Sequence, residues 1–391
     1  MIKVLVFSPI AVENGRGGEI SSMELAAGLQ EYFDVTFIHT NQLPGKKLLN
    51  KRAIENKLKN VKIDSRIKFA ILKLSNVMFT FPYPWEILRL YKKVKKNDVI
   101  YTSFNNIKST LLFIFFSLLH RRGKFIIGYR KPLYSEKIFS LYNLKYRISI
   151  LLFSLFKNNF IPHTMSNYAK NYLEHFYKTD SVVHITHGIE LDKYKDNGKE
   201  VKSDITLNFV YIGYLDDPHK GVGVLVDAIE KLLDENLNMK IFFEFCGMGP
   251  LESRLRELER KYPNYVKFHG YISNEEIPDY YKRNDVFLFT SRREPFPRVL
   301  MEALAAKLII ICSKTIGSIE LLKQKAFSFF FRKLSPGAIK DRIVEVYKLW
   351  IKNPNRIKEL QNSARIYIFN NYSFDIEIEE FKSLINRIYR Y

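Results

Sequence analysis

The 391-residue sequence predicts an α/β protein of two successive parallel sheets facing each other across a cleft. Three observations carry that expectation: the length, the alternation of β-branched runs with helical patterns, and glycines at the ends of successive strands. This length exceeds one ordinary core and suits two domains of roughly 100–200 residues each. Hydrophobic residues make up 47% and aromatics 15%, enough apolar material for two cores.

Taken in chain order, strand-like runs occupy residues 2–7, 35–40, 99–102, 125–129 and 182–186, with helical patterns between them. A second series follows at 207–212, 240–246, 266–270, 286–290 and 308–312. Strands alternating with helices in this way read as βαβ units, so each series is a Rossmann-like domain. The polar stretch 193–204 separates them, which places an N-terminal domain at 1–195, a second at 196–373 and a final helix at 374–391 that can cross back to the first. Residues 43–73 are basic and lack a clean period, and we expect them to run over the surface near the cleft rather than to enter a core.

Charge is the most informative bulk property. Lys and Arg number 62 against 41 Asp and Glu, a net charge of +21. Between Lys46 and Arg147 there are 24 basic and 5 acidic residues, so the excess sits in about a quarter of the chain. Such a field attracts phosphates, an anionic membrane leaflet or nucleic acid; its bland reading is a solvated face. The apolar stretches 111–119 and 148–156 are about half the roughly 20 residues that span a bilayer. They suit either buried helices or a seat on a membrane surface. Cys246 and Cys312 each lie in an apolar run, no Cys/His cluster has metal-ligand spacing, and residues 1–8 read as a strand instead of a secretory leader. A cytoplasmic protein with no metal is expected.

The first strand leads into Asn14-Gly15-Arg16-Gly17-Gly18 and then an amphipathic helix over 21–32. Glycines at such a junction let a phosphate or a hydroxyl approach the helix amides. The spacing is not that of a dinucleotide fingerprint, and the second strand ends in His39-Thr40-Asn41 with no ribose-binding carboxylate, against a nicotinamide enzyme. In the second domain, strand 286–290 is followed by Glu294, then Phe296-Pro297-Arg298-Val299 and Glu302. Proline favours a helix start, so Pro297 opens the helix, Glu294 stands in the loop and Glu302 lies about two turns inside. Paired carboxylates accept hydrogen bonds from vicinal diols, as sugars and ribose present; the plain alternative is two ordinary glutamates, one near a helix dipole. Gly213 and Lys220 follow the domain's first strand, Gly247-Met248-Gly249 its second and Gly270-Tyr271 its third, at the edges where open α/β sheets bind ligands.

The order of these motifs resembles the family 4 (group 1) retaining glycosyltransferases of the GT-B fold, over nearly the whole chain. The most specific elements are Glu294 and Glu302, eight apart, followed by Ala303-Leu304-Ala305, and the preceding Lys220-Gly221 and Gly247-Met248-Gly249-Pro250. His187-Gly188-Ile189-Glu190 is similar to the family's segment at the domain junction. The resemblance implies that Glu294 binds the transferred hexose, Glu302 the ribose and Lys220 the diphosphate. Amides from Phe296 to Val299 would meet sugar and phosphate, Gly17 and Gly18 would face them from the other domain, and Tyr271 would border the base. Four positions depart from the pattern. Pro297 and Lys307 stand where glycine is common, Tyr214 where many members carry an arginine, and no histidine follows the strand ending Tyr129-Arg130. Arg298 or Arg130 would then supply the missing phosphate partner, and Arg130 or Tyr129 the positioning group.

The implied reaction is attack of an acceptor hydroxyl on the face from which the diphosphate leaves, with a leaving phosphate oxygen taking the proton and no cofactor or metal. The co-substrate is a nucleotide sugar, and the acceptor is a glycan or lipid-linked molecule at an anionic membrane surface. Nucleic acid is not expected as a partner. Competing readings are a sugar-nucleotide epimerase on the same fold, an inactive sugar-binding member, and a basic nucleic-acid-binding protein.

Overall fold

Seven parallel strands form the first sheet: β1 (Lys3–Ser8), β2 (Asp34–Thr40), β3 (Lys68–Leu72), β4 (Val99–Ser103), β5 (Lys124–Tyr129), β6 (Phe160–Thr164) and β7 (Val183–His184). In the computed structural model their spatial order is β3-β2-β1-β4-β5-β6-β7, so direction reverses between β1 and β4. The structure describes residues 1–8, 17–40, 68–72, 84–103, 107–129, 141–178, 180–194, 206–235 and 238–390. Helices α1 (Gly17–Leu29), α2 (Pro84–Val94), α3 (Ile107–Leu119), α4 (Leu141–Leu155) and α5 (Asn167–Tyr177) connect the strands. Right-handed crossovers that run in opposite directions from the sheet centre put their helices on opposite faces. Accordingly α2, α3 and α4 share one face, where Leu90, Phe113, Phe116 and Phe153 close over Phe7, Ile100 and Phe125.

Clustering of contacts divides the chain into residues 1–187 with 375–391 and residues 188–374. The division lies upstream of the expected 195/196 boundary. Ile189 already pairs with Ser373, and a Cβ on Gly188 would sit 2.4 Å from the Ser373 carbonyl oxygen, so the segment is tied to the second unit before the polar stretch begins. The last helix, α13 (Phe374–Arg390), belongs from Asp375 onward to the first unit. Its Phe381 packs edge-on against Tyr101 at 5.6 Å and against His163 at 5.0 Å.

The second sheet has six parallel strands, β8 (Leu207–Ile212), β9 (Ile241–Cys246), β10 (Val266–Gly270), β11 (Val286–Phe289), β12 (Ile309–Cys312) and β13 (Ser328–Phe330), in the order β10-β9-β8-β11-β12-β13. Around it lie α6 (Val222–Glu235), α7 (Glu252–Lys261), α8 (Ile277–Lys282), α9 (Arg298–Ala305), α10 (Ile316–Leu322), α11 (Pro336–Lys352) and α12 (Pro354–Asn371). Caps delimit several of them. Thr315 and Ser318 form a capping box on α10, and Ser335 before Pro336 opens α11. Cys246 and Cys312 are buried and unpaired, and burial pushes the Cys246 thiol up to about 12.

Several expectations are corrected. Part of the supposed surface excursion at 43–73 is β3, in register with β2 from Thr36 to Thr40; the rest lies outside the described residues. Helix α1 begins at Gly17 rather than residue 21. Strand β6 escaped the sequence reading because of Pro162, which removes a ladder donor. Pairing with β7 starts only at His163, past the proline, so the lost N–H breaks no bond there. The apolar stretch 111–119 and the stretch 148–156 as far as Leu155 are helical and bury only one side.

Candidate functional site

The best-defined constellation stands at the carboxyl ends of β8 and β11, where the second sheet reverses direction. The loop after β8 is folded by Asp216, whose carboxylate accepts from the backbone amides of His219 and Lys220 at 3.2 and 2.8 Å. Tyr211 fixes the loop from below, its hydroxyl donating to the Tyr214 carbonyl at 3.1 Å; burial pushes that phenol far above its ordinary range. Gly221 has φ +63°, and a Cβ there would fall 2.6 Å from the Thr290 carbonyl oxygen. Only glycine lets the Lys220 turn lie this close to the end of β11. Thr290 completes the clamp, donating from Oγ1 to the Lys220 carbonyl at 2.7 Å.

This clamp delivers Lys220 to Glu294. Nζ lies 2.7 Å from Oε2, with both side chains between one fifth and one third exposed. Glu294 is in turn fixed through its backbone, as its carbonyl accepts from the Gly317 amide at 3.0 Å. A Cβ on Gly317 would meet the Pro295 backbone and the Pro297 ring at 2.7 Å, so that glycine is what allows α10 to approach the loop.

Pro297 is the N-cap of α9, not its first helical residue, with ψ 98°. The helix starts at Arg298, so Glu302 lies one turn inside and not two. The first amides of any helix lack intrahelical acceptors; here Pro297 offers none and Phe296 is buried against Tyr372. Arg298 and Val299 therefore carry the donors that α9 presents. Glu302 is held from two sides. Arg298 Nε donates to Oε1 at 3.1 Å, and the Tyr281 hydroxyl approaches Oε2 at 3.4 Å. Burial, reinforced by Glu302, raises the Tyr281 phenol well above 10, so it keeps its proton and donates. Sequence reasoning missed Tyr281; the available signal was a tyrosine in an apolar setting, whose hydroxyl needs a partner.

The glycines after β8 and β9 stand where two backbones approach closely. A Cβ on Gly247 would lie 1.9 Å from the Gly213 carbonyl oxygen, and one on Gly249 2.5 Å from that of Leu215. They let two backbones cross, which shapes the crevice floor. Tyr271, after β10, is 67% exposed. Three strand spacings separate β10 from β11, about 14 Å. A network that the sequence did not reveal links β9, β10 and the end of α8. Glu244 accepts from Arg283 Nε at 2.9 Å, from Asn284 Nδ2 at 2.6 Å and pairs with His269 Nε2 at 2.8 Å. Burial pushes the Glu244 carboxyl up, but these hydrogen bonds outweigh it and hold it below the usual carboxylate range.

Of the remaining candidates, Gly17 and Gly18 begin α1 in the first unit. Arg130 lies outside the described residues, as do Asn14, Gly15 and Arg16. Tyr129 is corrected: its ring is 2% exposed and packs edge-on against Phe153, so it belongs to the core and cannot position a substrate. Lys307 has φ +65°, and its amide and that of Leu308 close on the carbonyls of Leu304 and Ala303. This is the helix-ending motif that prefers glycine, which accounts for glycine being common there.

Residues 193–370, which hold Lys220, Glu294 and Glu302, match the family described as glycosyl transferases group 1. That stretch is a little under half of the chain. The uncharacterised glycosyltransferase MJ1607 of Methanocaldococcus jannaschii is 26% identical over 158 residues, 40% of this chain and 39% of that one. The putative teichuronic acid biosynthesis glycosyltransferase TuaC of Bacillus subtilis is 29% identical over 190 residues, 46% of this chain and 44% of that one. The matches thus span about two fifths of those relatives' lengths. A crystal structure of Anabaena Alr3699/HepE in complex with UDP and glucose has the same fold, with a TM-score of 0.73 at 17% identity over 99% of this chain and 100% of that one. The group 1 domain is one of the two α/β units of a GT-B fold, and its conspicuous carboxylates and lysine lie on the edge of its sheet.

Proposed function

We propose that the chain is a retaining glycosyltransferase that moves a hexose from a nucleoside diphosphate sugar to a hydroxyl acceptor. The observation that carries this reading is the Lys220–Glu294 pair at 2.7 Å, clamped at the switch point of the group 1 domain with Glu302 one turn into the adjoining helix. Both members are partly exposed, so each can exchange its partner for a ligand at modest cost. Lys220 would turn to the diphosphate and stabilise the charge that grows as the leaving group departs. Glu294 would accept from hexose hydroxyls and Glu302 from the ribose, with Tyr271 offering an aromatic face to the base. Arg298 is paired with Glu302 and stands at the first position of the helix, so it orients that carboxylate as well as adding positive potential. The acceptor hydroxyl would attack on the leaving-group face, with a phosphate oxygen as base; positioning, not a protein nucleophile, then supplies the rate. Lysine charge suffices for this chemistry, so turnover should persist in a chelator.

The acceptor is the partner of the basic first unit. Its excess charge favours a phosphate-bearing or otherwise anionic glycan carried on a lipid at the membrane surface. The relation to TuaC, named for teichuronic acid biosynthesis, supports an anionic polymer as product.

A thermal-shift panel of UDP- and GDP-sugars tests the donor site, since a ligand of the native state raises stability by RT ln(1 + [L]/Kd). One donor should shift the wild type and shift Glu294→Ala at least about tenfold less in apparent affinity. The anomeric configuration of product made with that donor should equal the donor's own. No shift with any donor, or an inverted product, would overturn the reading.

A further inference from the structure

Helices α3 and α4 pack side by side on one face of the first sheet, and each carries apolar residues on its outer as well as its inner side. Phe113 and Phe116 of α3 and Ile150 and Phe153 of α4 enter the core. On the outer side, where a solvated helix carries polar residues, α3 shows Leu111, Phe115 and Leu118 and α4 shows Ile148, Leu151 and Leu155. Leu155 is 69% exposed and Phe115 53%. The spacings i, i+4, i+7 and i, i+3, i+7 put each set on one stripe of its helix. Adjacent exposed stripes of this kind mark an interaction surface.

Charge says what covers it. Between Asp98 and Glu174 the sequence contains one acidic residue, Glu136, so the surface has almost no negative charge to repel an anionic partner. Exposed Arg147 flanks the stripe on α4, and exposed Arg122 and Lys157 follow the two helices. At the amino ends of β5 and β6 lies a cavity of about 430 Å³, lined by Arg121, Lys124 and Arg387 together with Ser117, Asn158 and Asn159. Among the described residues no carboxylate lines it. Ser117 shares the last turn of α3 with Leu118 and Leu119, both about half exposed, so the cavity opens where the apolar stripe ends. Apolar side chains lying flat beside cations, with a cationic cavity of headgroup size next to them, match an interfacial seat on lipid.

We propose that α3 and α4 lie in the interface of an anionic bilayer, their outer stripes below the headgroups, and that Arg121, Lys124 and Arg387 hold the phosphate of a lipid headgroup in the adjoining cavity. This rests on the membrane-presented acceptor argued above, and it names the surface that brings the protein there. No bond is made or broken, so the test needs no turnover.

The full chain is sedimented with phosphatidylcholine vesicles with and without phosphatidylglycerol, at low and high salt, beside the donor thermal shift of the same preparations. Wild type should bind the phosphatidylglycerol vesicles at low salt and release at high salt. Phe115→Glu with Leu151→Glu should weaken binding at least about tenfold, and Arg121→Ala with Lys124→Ala and Arg387→Ala about a hundredfold. Both variants should keep the donor shift. Should the double glutamate variant fold poorly, Leu155→Ser, at the most exposed position, should weaken binding severalfold. A wild type that ignores phosphatidylglycerol at low salt yet shifts with donor would overturn the docking surface and leave sugar transfer standing. Undiminished binding by the glutamate or serine variants would overturn the stripe, and by the alanine variant the headgroup cavity. A concentration-dependent dimer abolished by the same glutamates would put a second copy on this face and overturn the lipid assignment.

Discussion

The two units share a topology of parallel strands that reverses once, but they handle charge in opposite ways. In the second unit the cations at the sheet edge face carboxylates: Lys220 with Glu294, Arg298 with Glu302, Arg283 with Glu244 and Arg292 with Asp217. In the first unit Arg121, Lys124 and Arg387 converge on a cavity without any such partner among the described residues. One unit stores its charge in pairs that a ligand can open, and the other presents charge outward to a surface. The contrast also separates two kinds of pair within the second unit, since both members of the Lys220–Glu294 pair are partly exposed and can exchange, whereas Glu244 is a buried carboxylate held by several donors.

Turnover in Lys220→Ala tests the exchangeable pair and carries the largest effect. Loss of a charge that stabilises the departing diphosphate should lower kcat about 10²–10³-fold, with folding stability changed by less than about 1 kcal/mol. A variant that loses several kcal/mol of stability and little turnover would make the pair structural and erase the contrast.

Glu244→Gln tests the buried carboxylate, and its effect should fall on stability. Exchanging this carboxylate, 9% exposed, for an amide removes the charge that faces Arg283 and His269 and leaves one accepting oxygen where there were two. Arg283 is 43% exposed, so water recovers part of the loss and a cost of about 1–3 kcal/mol is expected at pH 7. The folded-state pKa of Glu244 is depressed, so its contribution is present above the ordinary carboxylate range and disappears as pH falls through the lowered value. Urea titrations of both proteins should therefore converge in acid; a gap that persists there would show packing, not charge, to be responsible.

The smallest expected effect is a gain. Lys307 pays for a left-handed backbone at φ +65° that glycine adopts freely. Lys307→Gly should stabilise by about 0.5–1 kcal/mol, read as a higher urea midpoint with unchanged slope. A loss would mean that the lysine side chain makes a contact worth more than the strain.

Much of this site was legible as chemistry and little of it as geometry. Glu294, Glu302 and Lys220 could be named from spacing after strands, because strand ends in parallel sheets converge on one edge. Their pairing could not, since Lys220 and Glu294 are 74 residues apart and meet only because Gly221 lets one loop settle on Thr290. Tyr281 and the Glu244 cluster were hidden for the same reason, their partners lying on other strands and helices. Tyr129 misled because a polar tip at a strand end resembles a site residue, whereas the pleat turned it into the core.

Taken alone, the sequence determined the two α/β series, most of their strands, the second unit's donor-site candidates and the basic bias of the first half, because these depend on period and local composition. Strand order, the crossing of Gly247 over Gly213, the return of α13 to the first unit and the outward stripes of α3 and α4 were decided only by tertiary structure. A 13-residue apolar helix looks the same in sequence whether it is buried on one side or both; the sheet beneath it and the helix beside it decide which residues meet water.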